Sequence, residues 1–205
     1  MESQEIKYKT NFFSPENVLS FSDDKLELFS DGKLVNSIYK EEIKDIRYGI
    51  SWIQGIDFTI GRIYSIDVGN KDRDFVKIRL RSLYGVNRNK LGDKYHDILD
   101  LLYIFYYSDL VERYLSQIET GIQLELAGTQ FTKEGVNLIP QKSDGFIPWE
   151  DLNTRTYSYY YTLASRERPD FYKTFTYLTD WNAVIIHHIS QQILERKGLK
   201  QSHES

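Results

Sequence analysis

Three groups of side chains in this sequence are of types that do chemistry, and their spacing limits what each can do. His187 and His188 are adjacent in WNAVIIHHISQQILER, a stretch of helical spacing. Neighbours on a helix point about 100° apart, so the two rings do not readily share one ion. One turn further on stand Gln191 and Gln192, not the second His that a helical zinc pair requires. His188 borders the apolar stripe of Trp181, Ile185, Ile189 and Gln192, which gives it a structural or boundary role. His96 and Asp100, also one turn apart, read as a hydrogen-bonded surface pair rather than an acid–base dyad. Glu41-Glu42 and Glu150-Asp151 are of the type that supplies a general acid and base. Each pair stands at a strand entry, where solvated edge charges are the simpler reading. The chain has no Cys, hence no thiol chemistry, disulfide or Cys-based zinc site. It also lacks a G-x-S-x-G elbow and any Walker or Rossmann loop. These readings assign no catalytic residue, no metal ligand and no cofactor, and the expectation is that the protein is not an enzyme.

The remaining chemistry is recognition. The formal net charge is −4, so overall basicity offers nothing to a polyanion and no nucleic-acid partner is expected. The strongest local charge lies in residues 71–94, with eight Lys or Arg against three Asp. Strand alternation there puts Lys77, Arg79 and Arg81 on one face and Val76, Ile78 and Leu80 on the other. Such a row suits an acidic protein surface, a nucleic-acid backbone or lipid headgroups, and it is also an ordinary way to keep an edge strand from pairing with a neighbour. In TYSYYYT, Tyr157, Tyr159 and Tyr161 share one strand face, and Ser158, Tyr160 and Thr162 the other. One face packs on the core. The other leaves Tyr160 half exposed, with Tyr172 and Tyr177 nearby, either as a recognition surface or packed against a second domain.

These residues need elements to hold them. KLELFSDGKLVNSIYK reads as two strands joined at Asp31-Gly32, a tight-turn pair. Residues 43–53, 62–69 and 74–81 have strand composition, with a bend at Gly49. Helical spacing begins after residue 92 with Asp93 as N-cap, and an apolar stripe of Ile98, Leu99, Leu102, Phe105 and Tyr106. It continues through Leu110, Tyr114, Leu115 and Ile118 and stops at Thr120-Gly121, and an Asp109/Glu112 capping box could restart it. Strands return at 122–132, 136–140, 154–165 and 171–178. Asp180 is expected to cap a last helix ended by Gly198, with a frayed tail over 197–205. The longest apolar-plus-aromatic run, LLYIFYY, is far below the roughly 20 residues that span a bilayer. With no secretory leader in MESQEIKYKTNFF, the expected setting is soluble and cytoplasmic.

Strands followed by a helix thus occur twice. IYKEEIKDIRYG matches IPWEDLNTRTYS at a displacement of 109, so that Ile38 and Ile43 correspond to Ile147 and Leu152. DFVKIRL matches DFYKTFT at a displacement of 96. The first copy therefore carries about 13 extra residues, around GISWIQGIDFTIG.

FTKEGVNL, then FIPWEDL, a strand pair and DWNAVIIHHISQQIL resemble bacterial pleckstrin-homology-like and GRAM-like modules. The resemblance is closer over 121–196 than over 20–107. It implies an α+β chain of two such units, 1–120 and 121–205, each an antiparallel sheet or partly open barrel closed by a C-terminal helix. In FIPWEDL, Pro148 then suits a strand start or edge, Trp149 and Leu152 enter the core, and Glu150 and Asp151 stay in water. Lipid-binding members concentrate Lys and Arg in and beside the first hairpin. The hairpins taken as corresponding, FSDGKL and FTKEGVNL, hold one Lys each in acidic company. The expected function is a non-catalytic binding or scaffolding protein with a protein or peptide partner. The alternative is peripheral recognition of anionic lipid or another polyanion through the basic strand face.

Overall fold

Alternating apolar side chains build the first sheet. The computed structural model describes residues 2–11, 13–140 and 144–199; the expected frayed tail lies, from residue 200 on, outside them. Strands β1 (Gln4–Lys9), β2 (Glu16–Phe21), β3 (Lys25–Ser30) and β4 (Lys33–Tyr39) pair antiparallel in sequential order. Ile6, Tyr8, Leu19, Phe21, Leu26, Leu28 and Ile38 turn to the buried side. Asp31 and Gly32 join β3 to β4 with φ of 51° and 72°, the left-handed pair that a two-residue hairpin turn demands. A single 3-10 turn over Lys40–Glu42 leads through buried Ile43 to a second sheet of β5 (Asp45–Gln54), β6 (Thr59–Gly69) and β7 (Phe75–Leu83). The inner face of this sheet carries Ile46, Tyr64, Ile66, Val68, Val76, Ile78 and Leu80, all buried.

The helix that follows begins earlier than the spacing predicts. Asn87 sits at φ 55° and α1 runs Arg88–Leu102, so Asp93 lies inside the helix and caps nothing. A π-helical segment, Tyr103–Tyr107, joins α1 to α2 (Ser108–Glu119) without a break. Three consecutive rings, Phe105, Tyr106 and Tyr107, are buried there. The wider π turn accommodates that crowding, and Asp109 restarts no helix. Its carboxylate instead lies 2.6 Å from Lys40 Nζ. Gly121 N donates to Ile118 O and Ile122 N to Gln117 O, a Schellman end at the glycine expected to stop the helix.

The chain divides into two compact units, residues 1–110 and 111–205. In the second, β8 (Leu124–Leu126), β9 (Thr129–Phe131), β10 (Gly135–Asn137) and β11 (Phe146–Pro148) form a four-stranded antiparallel sheet. A three-stranded sheet follows, β12 (Leu152–Thr156), β13 (Tyr160–Ser165) and β14 (Tyr172–Thr176), and then α3 (Ala183–Arg196). The strand expected over 154–165 is two strands, because the chain reverses at 157–159. Asn182 precedes α3 at φ 66°, as Asn87 precedes α1. Asp180 does not cap α3; its Oδ2 accepts from Thr176 N at 2.7 Å and ties down the end of β14.

Four strands, three strands and a helix therefore occur in that order twice along the chain, an α+β arrangement with every sheet antiparallel. The two matched sequence pieces occupy equivalent places. Ile38/Ile43 and Ile147/Leu152 bracket the turn from four-stranded to three-stranded sheet, and all four are buried. DFVKIRL and DFYKTFT lead into the third strand of the second sheet. FSDGKL and FTKEGVNL, however, form the β3–β4 and β9–β10 turns and are not the first hairpins of their sheets. The connections from β1 to β2 and from β8 to β9 hold no Lys or Arg.

Candidate functional site

Antiparallel register sets out the basic face. Lys77 lies opposite Asp67, Arg79 opposite Ser65 and Arg81 opposite Ile63, all on the outer face of β5–β6–β7. Arg47 on β5 is opposite Asp67 from the other side. Asp67 is the organising group, since its side chain is only 4% exposed. Arg47 Nε donates to its Oδ2 at 2.9 Å. Arg79 Nη1 sits 2.6 Å from Oδ1, an ion-pair contact without hydrogen-bond alignment. Arg79 also donates to Ile66 O and Ile78 O, at 3.1 and 2.9 Å. A carboxylate desolvated to this degree holds its partners firmly, because an uncompensated charge there is costly. Of the three predicted cations, Arg79 is thus committed inside the sheet. Lys77 Nζ lies 4.8 Å from the Phe75 ring centre, and Arg81 is exposed. The sequence reading missed Arg47 and Asp67, because only the sheet pairing brings them together with Arg79.

The second predicted surface is the outer face of β12–β13–β14. Tyr160 lies opposite Thr176, and Tyr172 opposite Ala164. The two tyrosines share that face but stand four residues apart along the sheet, about 13 Å. Between them Thr162 and Thr174 hydroxyls meet at 3.1 Å, and Arg155 pairs with Thr162. Tyr157 and Tyr159 occupy the reversal rather than one strand face with Tyr161. Tyr157 stacks on Tyr160 at 4.4 Å between centroids. Tyr172 is 61% exposed, whereas Tyr161 points inward and is fully buried.

Beneath α3, the histidines are not splayed as helix geometry suggests: their rings stack with centroids 5.5 Å apart. His187 also lies 4.5 Å from the Tyr161 ring. Its Nδ1 is 3.1 Å from Tyr177 Oη and its Nε2 is 3.3 Å from Thr156 Oγ1. Burial, with His188 adding to it, pushes the His187 imidazole down from 6.5 to about 4. Burial also lowers His188. His187 is therefore neutral at pH 7 and a weak base. A Thr156–His187–Tyr177 line has the outline of a nucleophile–base–orienter set. Its third member is a phenol, which lacks the negative charge that stabilises an imidazolium. Tyr161 Oη lies among Thr154, Ser190 and Gln191 with no aligned hydrogen bond, and burial drives its phenol well above the ordinary range.

The acidic pairs resolve differently from one another. Glu41, Glu42 and Glu150 are exposed. Asp151 is not a free edge charge. Its Oδ2 accepts from Ser165 Oγ at 2.5 Å and its Oδ1 from Glu167 N at 2.8 Å, fixing the β13–β14 turn. Asp45 does the same for β6–β7, accepting from Lys71 N at 3.0 Å. Trp149, directly after edge strand β11, is fully buried, its Nε1 donating to Thr132 O and Lys133 O. Among the described residues no three His, Cys, Asp or Glu are grouped to hold a metal ion, and no helix is long and apolar enough to cross a membrane. Comparison of the chain with protein-family models and with curated proteins finds no match.

Proposed function

We propose that this chain is a non-catalytic binding or scaffolding protein made of two pleckstrin-homology-like units in tandem, recognising a protein or peptide partner in the cytoplasm. The recurrence of four strands, three strands and a closing helix supports the fold reading. So does the equivalent placement of both sequence matches, which fits a duplication. The functional reading rests on the outer face of β12–β13–β14. It presents Tyr157, Tyr160 and Tyr172 around Arg155 and a pair of threonine hydroxyls. Aromatic rings with a polar edge and one arginine are the composition that concentrates binding energy at protein interfaces.

The alternative, anionic lipid at Lys77, Arg79 and Arg81, has weaker chemical support because Asp67 already neutralises Arg79. A polyanion held there would be released on moving from low to moderate salt. The test of the main reading is affinity capture from the native cell, read by quantitative mass spectrometry. A triple variant, Tyr157→Ser, Tyr160→Ser and Tyr172→Ser, is compared with the wild type. A partner enriched by the wild type should fall about tenfold or more with the variant, whose circular dichroism stays unchanged. Equal capture by both forms contradicts the reading.

A further inference from the structure

The two units differ most where the first carries its extra residues, and the difference is a single projecting element. The β5–β6 hairpin continues past the sheet body and closes at Gly55 N to Phe58 O, 2.7 Å. In the second unit the equivalent strands are joined by residues 157–159 alone. The side chains on the projection are apolar and face solvent. Ile56 is 99% exposed and Phe58 62%, and Trp52 is exposed behind them. The end of β7 joins the same patch: Tyr84 N donates to Ile60 O at 2.7 Å, and Leu83, Tyr84 and Val86 are exposed. A soluble protein rarely leaves so many large apolar groups together on a tip without an occupant for them.

Charge indicates the occupant. Over residues 46–66 and 78–92 Asp57 is the single acid; Asp67 holds Arg47 and Arg79, which leaves Arg62, Arg81, Arg88 and Lys90 as the cations near the tip. Arg62 packs its guanidinium 4.2 Å from the Trp52 ring centre. Arg62 and Arg81 make no ion pair among the described residues. Arg81 stands two residues behind Leu83, and Arg62 four behind Phe58, or about 7 and 13 Å along the strands. Apolar groups that enter a bilayer surface bury about 5–10 Å, leaving side chains at that setback among the headgroups. Trp and Arg are suited to that boundary, one end apolar and the other polar or charged. A protruding tip also suits a soft surface better than a rigid groove.

We propose that the β5–β6 tip of the first unit docks into the surface of an anionic phospholipid bilayer, with Ile56 and Phe58 entering the acyl boundary and Arg62 and Arg81 meeting lipid phosphates. The site shares Arg81 with the Lys77, Arg79 and Arg81 row but not Lys77 or Arg79, its apolar tip sets it apart from that row, and it is independent of the tyrosine face. The full chain is mixed with phosphatidylcholine vesicles containing phosphatidylserine, and with pure phosphatidylcholine vesicles. Binding is read by co-sedimentation and by tryptophan fluorescence. The chain should sediment with the anionic vesicles and show a blue shift that Trp52→Phe removes. The double variant Ile56→Ser/Phe58→Ser should lose about tenfold or more in binding. Arg62→Gln/Arg81→Gln should lose severalfold, most of it at low salt. Ile56, Phe58 and Arg81 are exposed and Arg62 is half-buried against Trp52, and unchanged circular dichroism confirms the fold of each variant. No sedimentation with anionic vesicles overturns the proposal, as does equal binding to pure phosphatidylcholine or undiminished binding by the Ile56/Phe58 variant. Concentration-dependent self-association that the same variant abolishes, without lipid binding, overturns it in favour of a second copy as the occupant.

Discussion

The first unit extends its β5–β6 hairpin into solvent, whereas the second ends the equivalent hairpin at a three-residue reversal and places its unusual chemistry inside. The same contrast holds beneath the helices. In the first unit Tyr95 lies 6.4 Å from Tyr48 and 5.3 Å from Tyr64, ring centre to ring centre, an aromatic filling with few polar atoms. In the second, His187 packs on Tyr161 and bonds to Thr156 and Tyr177, a polar filling. One order of elements thus supports two divisions of labour. A sheet body tolerates a longer hairpin because the added residues pair only with each other. It tolerates a buried imidazole because both ring nitrogens of His187 lie near a hydroxyl, Thr156 on one side and Tyr177 on the other.

The contrast can be broken from either side. Trp149→Ala should act most strongly, because it empties a fully buried site at the sheet connection, where the first unit has a simple 3-10 turn. A loss of about 3–5 kcal/mol is expected, with hydrogen-exchange protection falling chiefly in residues 111–199. Protection falling equally in residues 2–110 would deny the separation. Asp67→Asn tests the first unit in the same way. It leaves Arg47 and Arg79 without their carboxylate, at a cost of about 2–3 kcal/mol once partial exposure of the arginines is counted, and chemical denaturation measures it.

Acid should separate the polar filling from the aromatic one. The folded-state value of His187, about 4, lies below the ordinary 6.5, so the folded form binds its proton less readily than the unfolded chain does. The stability from this neutral imidazole is fully present above about pH 6.5 and is lost as pH falls toward 4. The expected loss is on the order of 2 kcal/mol, discounted for partial exposure. His187→Gln should flatten that part of the pH–stability curve in thermal melts. An unchanged slope would mean that the ring titrates normally. The smallest stability effect belongs to Tyr172→Ser, within about 0.5 kcal/mol because the ring is mostly exposed.

Periodicity made much of this structure legible. Val76, Ile78 and Leu80 face inward as alternation requires, and Asp31-Gly32 turns as its composition requires. Gly121 and Gly198 end their helices as expected, each with the Schellman pair of hydrogen bonds. Local signals failed where a second segment decides. Strands β1 and β2 are short, and their Ile6/Tyr8 and Leu19/Phe21 alternation gains meaning only once they pair. Tyr157–Tyr161 looks like continuous strand because nothing in a run of tyrosines marks a reversal. Asp93 and Asp180 have cap chemistry, but left-handed Asn87 and Asn182 set the helix starts instead. At the candidate sites, the row Lys77, Arg79 and Arg81 was legible from spacing, and its neutralisation by a carboxylate on the next strand was not.

Capture of the native partner by wild type, by the triple tyrosine variant and by Ile56→Ser/Phe58→Ser, compared side by side, tests the central claim that recognition is non-catalytic and lies on the second unit's outer face. The account predicts a partner lost with the tyrosine variant and retained with the hairpin variant. Retention by the tyrosine variant, or equal loss from both, would contradict it.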